Sequence, residues 1–208
     1  GVHLAGFPDS AGQMNMPLPD RIWRWLRLEA ADWLLWLKLP QRTRALYEVV
    51  LRDHPDDAHT MSCLAYLDAA QGNRITALER FDRVVQLAPD DVRGHYNRAY
   101  LQQELQRHED AVLSFERALA IRDDHDLAQY GKALSLIALN RFDEAIPALK
   151  RATELQPMSP FGWYQLARIY HSRGKMQSAE KIIRHLKGFE PKFADQLIRE
   201  TGIRVESS

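Results

Sequence analysis

The 208-residue sequence predicts an all-helical protein built from a repeated helix-turn-helix unit. Three observations predict it. Ala, Leu, Arg, Glu and Gln dominate after residue 20, and these residues favour helix. Strand signals are scarce, with few Val/Ile/Thr runs and no Asn-Gly or Asp-Gly hairpin turn. Pro55, Pro89, Pro157 and Pro191 stand at multiples of 34 residues, with Asp123 where the missing member of the series falls. Counting back from these marks divides the chain into frames 58–91, 92–125, 126–159 and 160–193.

Composition removes several classes of function. The chain is 45% hydrophobic and 27% charged, close to globular averages, so whole-chain disorder is not expected. Twenty-eight basic side chains balance 28 acidic ones, which excludes a chain-wide basic field for gripping nucleic acid. Residues 21–54 carry a basic excess of only three, so no nucleic-acid partner is expected. Cys63 is the single cysteine, and neither an intrachain disulfide nor a thiolate metal cluster can form. No apolar run reaches membrane-spanning length and no secretory signal is visible. A cytoplasmic location is the expectation, with a removed leader or a membrane-peripheral location left open.

Taken in order, residues 1–19 combine three prolines with three glycines and little apolar periodicity, and read as a flexible tail. Residues 20–39 read as one helix, opened by Pro19 and Asp20 and stopped near Pro40. Four of the five tryptophans lie on it: Trp23, Trp25, Trp33 and Trp36. Ile22, Trp23, Leu26, Ala30, Trp33, Leu34 and Leu37 form a wide apolar face, and Asp20, Arg24, Arg27 and Lys38 a narrow polar stripe. That is more apolar surface than packing on one neighbour requires. Three readings stay open: a cap on the first repeat, a surface that docks a protein or a second copy of this chain, and an interfacial membrane helix whose Arg21, Arg24 and Arg27 meet anionic lipid. Frame 24–57 is a degenerate hairpin in which Tyr47, Val50 and Pro55 fit the later pattern, but little before them beyond Ala31.

The four full frames agree internally. Ala65, Ala99, Ala133 and Ala167 share one position, and Ala77, Ala111, Ala145 and Ala179 another. Small residues there let the two helices of a hairpin cross closely. Phe81, Phe115, Leu149 and Ile183, and then Leu87, Ile121, Leu155 and Phe189, are expected to fill the layer between hairpins. Gly72-Asn73, Asn140-Arg141 and Gly174-Lys175 mark the turn inside each hairpin, and Gln106-Arg107 departs from that chemistry. Pro147 is expected in the first turn of a second helix, after an N-cap near Asp143. The pairs Asp56-Asp57, Asp90-Asp91 and Asp123-Asp124 read as N-caps of the following helices. Residues 194–201 read as a capping helix stopped by Gly202.

This pattern resembles the tetratricopeptide repeat, a 34-residue helix-turn-helix unit. The last frame carries it most fully: Trp163, Leu166, Ala167 and Tyr170 stand where that family has its W-x2-L-G-x2-Y run, and Ala179, Ile183 and Pro191 continue it. The resemblance covers residues 58–193 and implies a right-handed α-solenoid with a C-terminal capping helix. It further implies a concave surface lined by positions 2, 5, 9 and 12 of each frame. Position 5 is Tyr96, Tyr130 and Tyr164; position 9 is Tyr66, Tyr100, Leu134 and Arg168. Five of the seven tyrosines therefore fall on these rows. A row of rings, each with one polar tip and little rotamer entropy to lose, suits a bound peptide. Arg93 and Arg168 beside the rows could hold a carboxylate or a backbone carbonyl. The alternative is that the tyrosines are half-buried spacers between hairpins. Some relatives clamp an acidic chaperone tail with Lys, Asn and Arg; only Asn97 stands at a matching position here, so a more apolar cargo is expected.

No P-loop, dinucleotide fingerprint, nucleophile elbow or HExxH motif occurs. His59 and Cys63 are four residues apart, with no second pair nearby to complete a metal site. No catalytic residues, cofactor or metal are expected. The expected function is a protein–protein scaffold, adaptor or assembly factor that binds a peptide or helical segment. The alternatives are a membrane-associated assembly factor docking through the tryptophan helix, and a repeat-type secretion chaperone.

Overall fold

The computed structural model of the chain describes residues 18–36 and 40–205. Of the expected tail, residues 1–17 lie outside the described residues, and Leu18 and Pro19 instead begin the first helix. Among those described there are helices and turns only. They divide into two compact units, one ending at Leu87 and one beginning at Ala88. The first holds α1 (Leu18–Trp36), α2 (Pro40–Asp53), α3 (Ala58–Ala70) and α4 (Arg74–Leu87). The second holds α5 (Val92–Glu104), α6 (His108–Ile121), α7 (Asp126–Ala138), α8 (Phe142–Leu155), α9 (Pro160–Ser172), α10 (Met176–Lys187) and α11 (Pro191–Thr201). Helices adjacent in sequence pack as hairpins within each unit.

The small-residue positions are the crossing points of these hairpins. Both alanine series are fully buried, as are Phe81, Phe115, Leu149 and Ile183 beside them. The later series is different: Ile121 is 40% exposed, and Leu87, Leu155 and Phe189 are only half-buried. These residues lie in or beyond the last turn of the second helix, past the depth of the interhelical layer. Gly131 of α7 lies directly under Phe115, where a Cβ would meet the ring at 2.4 Å.

The turns inside the hairpins share one geometry despite their different residues. Gly72, Gln106, Asn140 and Gly174 all have left-handed φ, at 83°, 61°, 59° and 70°. Each is followed by an amide that reaches five residues back, as from Asn73 to Asp68 and from Arg107 to Gln102, both at 2.8 Å. This closes each first helix with a Schellman-type cap. Gln106 therefore does what glycine does elsewhere, contrary to the expectation from its side chain.

The turns between hairpins are held from both sides. Asp57 and Asp91 cap α3 and α5, as expected. At the next repeat the cap is His125, not Asp123 or Asp124: its Nδ1 accepts from the Ala128 amide at 3.2 Å. One further contact recurs at position 4. His95 Nε2 bonds the Pro89 carbonyl at 2.8 Å, Gln129 Nε2 the Asp123 carbonyl at 3.5 Å, and Trp163 Nε1 the Pro157 carbonyl at 2.9 Å. Three different side chains thus supply one N–H to one turn.

Two helix boundaries differ from expectation. Helix α8 begins at Phe142, which puts Pro147 in its second turn rather than its first. The ring removes the amide that would bond the Asp143 carbonyl, on an exposed side of the helix. The tryptophan helix begins at Leu18, two residues before the expected start, and Pro40 begins α2.

The degenerate hairpin keeps the repeat's core. Ala31, Thr43, Tyr47 and Val50 are buried at the positions of Ala65, Ala77, Phe81 and Val84. What departs is the orientation of α1. Arg24 pairs with Asp57 at 2.6 Å, and Arg27 bonds Asp53. Arg24 and Arg27 of the polar stripe thus face the end of α2 and the N-cap of α3, and Ile22, Trp23, Trp25 and Leu26 are exposed. Inside this unit Asp68, 2% exposed, bridges Arg44 at 2.6 Å and Arg80 at 2.7 Å. The same two positions one repeat later hold Gln102 and Ser114, 2.7 Å apart, and then apolar Leu136 and Ala148.

Left-handed φ in a side-chain-bearing residue costs roughly 1–2 kcal/mol, part of which glycine returns as unfolded-chain entropy. Gln106→Gly is therefore expected to stabilise the protein by about 0.5–1 kcal/mol, and Gly174→Ala to destabilise it by about 1 kcal/mol, measured as shifts of the urea unfolding midpoint.

Candidate functional site

Helices α5, α7 and α9 of the second unit carry the tyrosine rows. Tyr96, Tyr130 and Tyr164 are all half-buried, and each leans on an aromatic neighbour. Tyr96 stacks on His125 with ring centres 4.9 Å apart and touches Phe115 at 6.0 Å. Tyr130 lies 6.4 Å from Phe161, and Tyr164 lies 5.8 Å from Phe193. The position-5 rings are therefore partly spacers, and each keeps part of its surface open. At position 9, Tyr100 is 49% accessible and Arg168 is exposed, while Leu134 is half-buried; Arg93, at position 2, is exposed. Asn97 is half-buried and engaged with neighbours. In the first unit, Tyr66 is equally exposed and packs its ring edge-to-face on Phe81 at 5.5 Å.

The end of the second unit is closed by α11. Tyr164 donates to Glu200 at 2.6 Å, and Gln196 donates to the Tyr164 hydroxyl at 2.8 Å. The Arg168 guanidinium lies 5.6 Å from the Tyr164 ring centre, with its Nε 3.7 Å from Glu200. Burial and the adjacent Glu200 carboxylate push the Tyr164 hydroxyl up, and the donated hydrogen bonds hold Glu200 below the usual carboxylate range. Beside this cluster is a cavity of about 520 Å³ bordered by Ile137, Phe142, Arg168, His171 and Glu200. Ile137 and His171 occupy position 12, so three of these residues come from the rows the sequence marks out.

A second cavity, about 390 Å³, opens between α7, α8 and α9. Leu127, Tyr130 and Phe161 supply its apolar wall, Asp126 borders it, and the last turn of α8 closes it. Gly162 permits the approach of α9 to α8, since a Cβ there would meet Thr153 Cγ2 at 2.8 Å. Leu127 and Phe161 are each 54% exposed and stand at position 2, which the row assignment contains. The sequence did not single out the cavity, because it depends on how three helix ends converge. Nor did it single out Phe193 or Glu200, which belong to the capping helix and follow no 34-residue register.

Trp23 and Trp25 are 61% and 47% exposed on α1. The side chains of Trp33 and Trp36 lie outside the described residues. His59 and Cys63 approach to 3.8 Å, and no cluster of three metal-ligating side chains occurs among the described residues. No described helix is long and apolar enough to cross a membrane.

Hairpins of this length, with buried alanines at the crossing and apolar residues between helices, define a helical-repeat protein. The tetratricopeptide repeat family matches at residues 64–126 and 130–188, more than half of the chain, and the chain belongs to that family. Solved structures agree in fold. A double mutant of MamA RS-1 superposes with a TM-score of 0.74 at 16% identity, covering 85% of this chain and 95% of that one. YrrB, described as a TPR protein with an unusual peptide-binding site, gives 0.74 at 15% identity over 83% of this chain and 90% of that one. A tetratricopeptide repeat protein from Parabacteroides merdae gives 0.75 at 19% identity over 86% and 73%. No curated protein matches.

The His125 cap generates a pH dependence. An imidazole that accepts through Nδ1 must be uncharged, and burial, then the nearby Arg122, lowers its pKa below 6.5, against Asp126 and Asp124. The unfolded chain therefore binds this proton more readily, so the contribution is complete above 6.5 and is lost as pH falls from there through the lowered folded value. The unfolding midpoint is expected to drop between about pH 7.5 and about pH 5.5, and to drop less in His125→Asp, which restores the cap used at Asp57 and Asp91.

Proposed function

We propose that this tetratricopeptide repeat protein is a non-enzymatic scaffold that holds a segment of another protein against the tyrosine-bearing helices α5, α7 and α9. The observation that carries this reading is the recurrence of half-open tyrosine rings at one repeat position. Fixed rings offer broad contact at a small entropic cost. The family's general role in protein–protein interaction supports it, as does the peptide-binding site named for YrrB. The flanking Arg93 and Arg168 suit carboxylate or carbonyl groups of the bound segment. No cofactor, metal or nucleic acid enters this reading.

A second reading is favoured by one observation, the outward apolar face of α1. Ile22, Trp23, Trp25 and Leu26 form an anchor for a protein partner, a second copy or a membrane-bound assembly. Arg24 and Arg27 are held by Asp57 and Asp53, which leaves less cationic charge for anionic lipid than the sequence suggests.

Crosslinking in the native host, followed by mass spectrometry, identifies the bound protein. Replacing Tyr96, Tyr130 and Tyr164 together with Ala is expected to weaken its capture by at least about thirtyfold, the loss of one or more hot-spot contacts. Unchanged capture by the variant, with native helicity by circular dichroism, rejects the tyrosine surface. The α1 reading predicts that the full chain with Trp23→Ala and Trp25→Ala loses capture, self-association by light scattering, or flotation with vesicles containing anionic lipid. Retention of all three properties excludes it.

A further inference from the structure

The cavity between α7, α8 and α9 combines features that one chemical group would satisfy. Two aromatic rings, Tyr130 and Phe161, stand 6.4 Å apart and inclined at 51° on its wall. Leu127 adds an aliphatic strip and Asp126 a carboxylate. No basic side chain forms an ion pair with Asp126 among the described residues. The cavity is closed by the C-terminal turn of α8, the negative end of that helix, and this turn contains no basic residue. Asp126 and the C-terminal turn of α8 place negative charge at the site, offset in part by the N-terminal ends of α7 and α9 that also border it, and ring faces and aliphatic groups form the wall.

The next repeat shows what such a tyrosine holds when the chain supplies the cation itself. At position 9 stands Arg168, its guanidinium 5.6 Å from the Tyr164 ring centre and its Nε 3.7 Å from the Glu200 carboxylate. One repeat earlier position 9 is Leu134, so the chain provides no cation from that position to Tyr130. Tyr130 has its ring neighbour and a nearby carboxylate, and lacks the third member of that arrangement.

We propose that this cavity receives a lysine or arginine side chain from the bound segment, its stem along Leu127 and its charged head between the rings of Tyr130 and Phe161 and the Asp126 carboxylate. This rests on the scaffold reading above and adds a chemical preference: the partner segment carries a basic residue where it crosses α7 and α9. Cation–π attraction and a carboxylate in one partly enclosed site each favour a cation over an apolar side chain of equal length.

The test uses the full-length, isotopically labelled chain and four capped amino acids. N-acetyl-arginine amide, N-acetyl-lysine amide, N-acetyl-norleucine amide and N-acetyl-glutamate amide are titrated separately while amide shifts are followed. The arginine and lysine probes are expected to shift Asp126, Leu127, Tyr130, Phe161 and Gly162 saturably, about tenfold more tightly than norleucine or glutamate. Asp126→Asn is expected to weaken them about fivefold with the fold unchanged, and Phe161→Leu by a similar factor. Norleucine binding as tightly as lysine, Asp126→Asn binding lysine unchanged, or the absence of saturable shifts would overturn the proposal. Its failure is separable from that of the scaffold reading. Capture lost in the tyrosine variant but untouched in Asp126→Asn and Phe161→Leu rejects the cation site alone. Saturable lysine binding with capture intact in the tyrosine variant rejects the tyrosine surface alone.

Discussion

The structure depends on the close crossing of two helices at a pair of small residues. In every full repeat an alanine of the first helix and an alanine of the second are fully buried. In the degenerate hairpin the pair is Ala31 and Thr43. A larger side chain at either point would push the helices apart, and Phe81, Phe115, Leu149 and Ile183 would lose the layer they fill. Gly131 under Phe115 is the same constraint at its limit, with no room for even a methyl group. A protein organised this way has no single central core. Its stability comes from many thin layers, each shared by adjacent helices.

The turns keep those layers in phase. Left-handed residues end the first helices, side-chain caps begin α3, α5 and α7, and a position-4 N–H ties α5, α7 and α9 to the turn before each. The chemistry varies while the geometry holds: His95, Gln129 and Trp163 reach equivalent carbonyls, and Asp57, Asp91 and His125 cap equivalent amides. This phasing sets the tyrosine rows. Because each repeat presents the same position in the same orientation to its neighbour, Tyr96, Tyr130 and Tyr164 each meet an aromatic ring from the elements that follow. Their half-burial is a consequence of stacking, which also fixes the orientation of the rings.

Charge is distributed so that most of it is consumed internally. Asp68 gathers two arginines, α1 turns Arg24 and Arg27 toward its neighbours, and Glu200 draws Arg168 across Tyr164. The zero net charge of the chain therefore reflects local pairing as well as overall balance. Against that background the cavity at Asp126, with two rings and no pairing cation, is distinct from the closed cluster at Tyr164. The exposed face of α1 is distinct for a different reason. Arg24 and Arg27 face inward, and Ile22, Trp23, Trp25 and Leu26 are exposed on the helix with Glu29 and Asp32.

Much of this was legible in the sequence, because a 34-residue period marks the hairpins and their crossing points, and the family resemblance built on it implies the surface rows. Ala99, Phe115, Tyr130 and Trp163 are each one member of a series, and a series identifies a position better than any one residue does. Non-periodic features stayed hidden. Gln106 takes a glycine's conformation because the Schellman-type closure holds it there, which its side chain does not announce. His125 caps α7 because the backbone places residue 125 at the N-cap, and the two aspartates before it fall short of that point. The sequence by itself determined the family, the hairpins, the buried small residues and the tyrosine spacing, since all follow from periodicity. Only the tertiary structure decided which way α1 faces, which carboxylates meet which cations and where the helix ends leave a cavity. Those depend on distances between side chains far apart in the chain, and no local pattern encodes them.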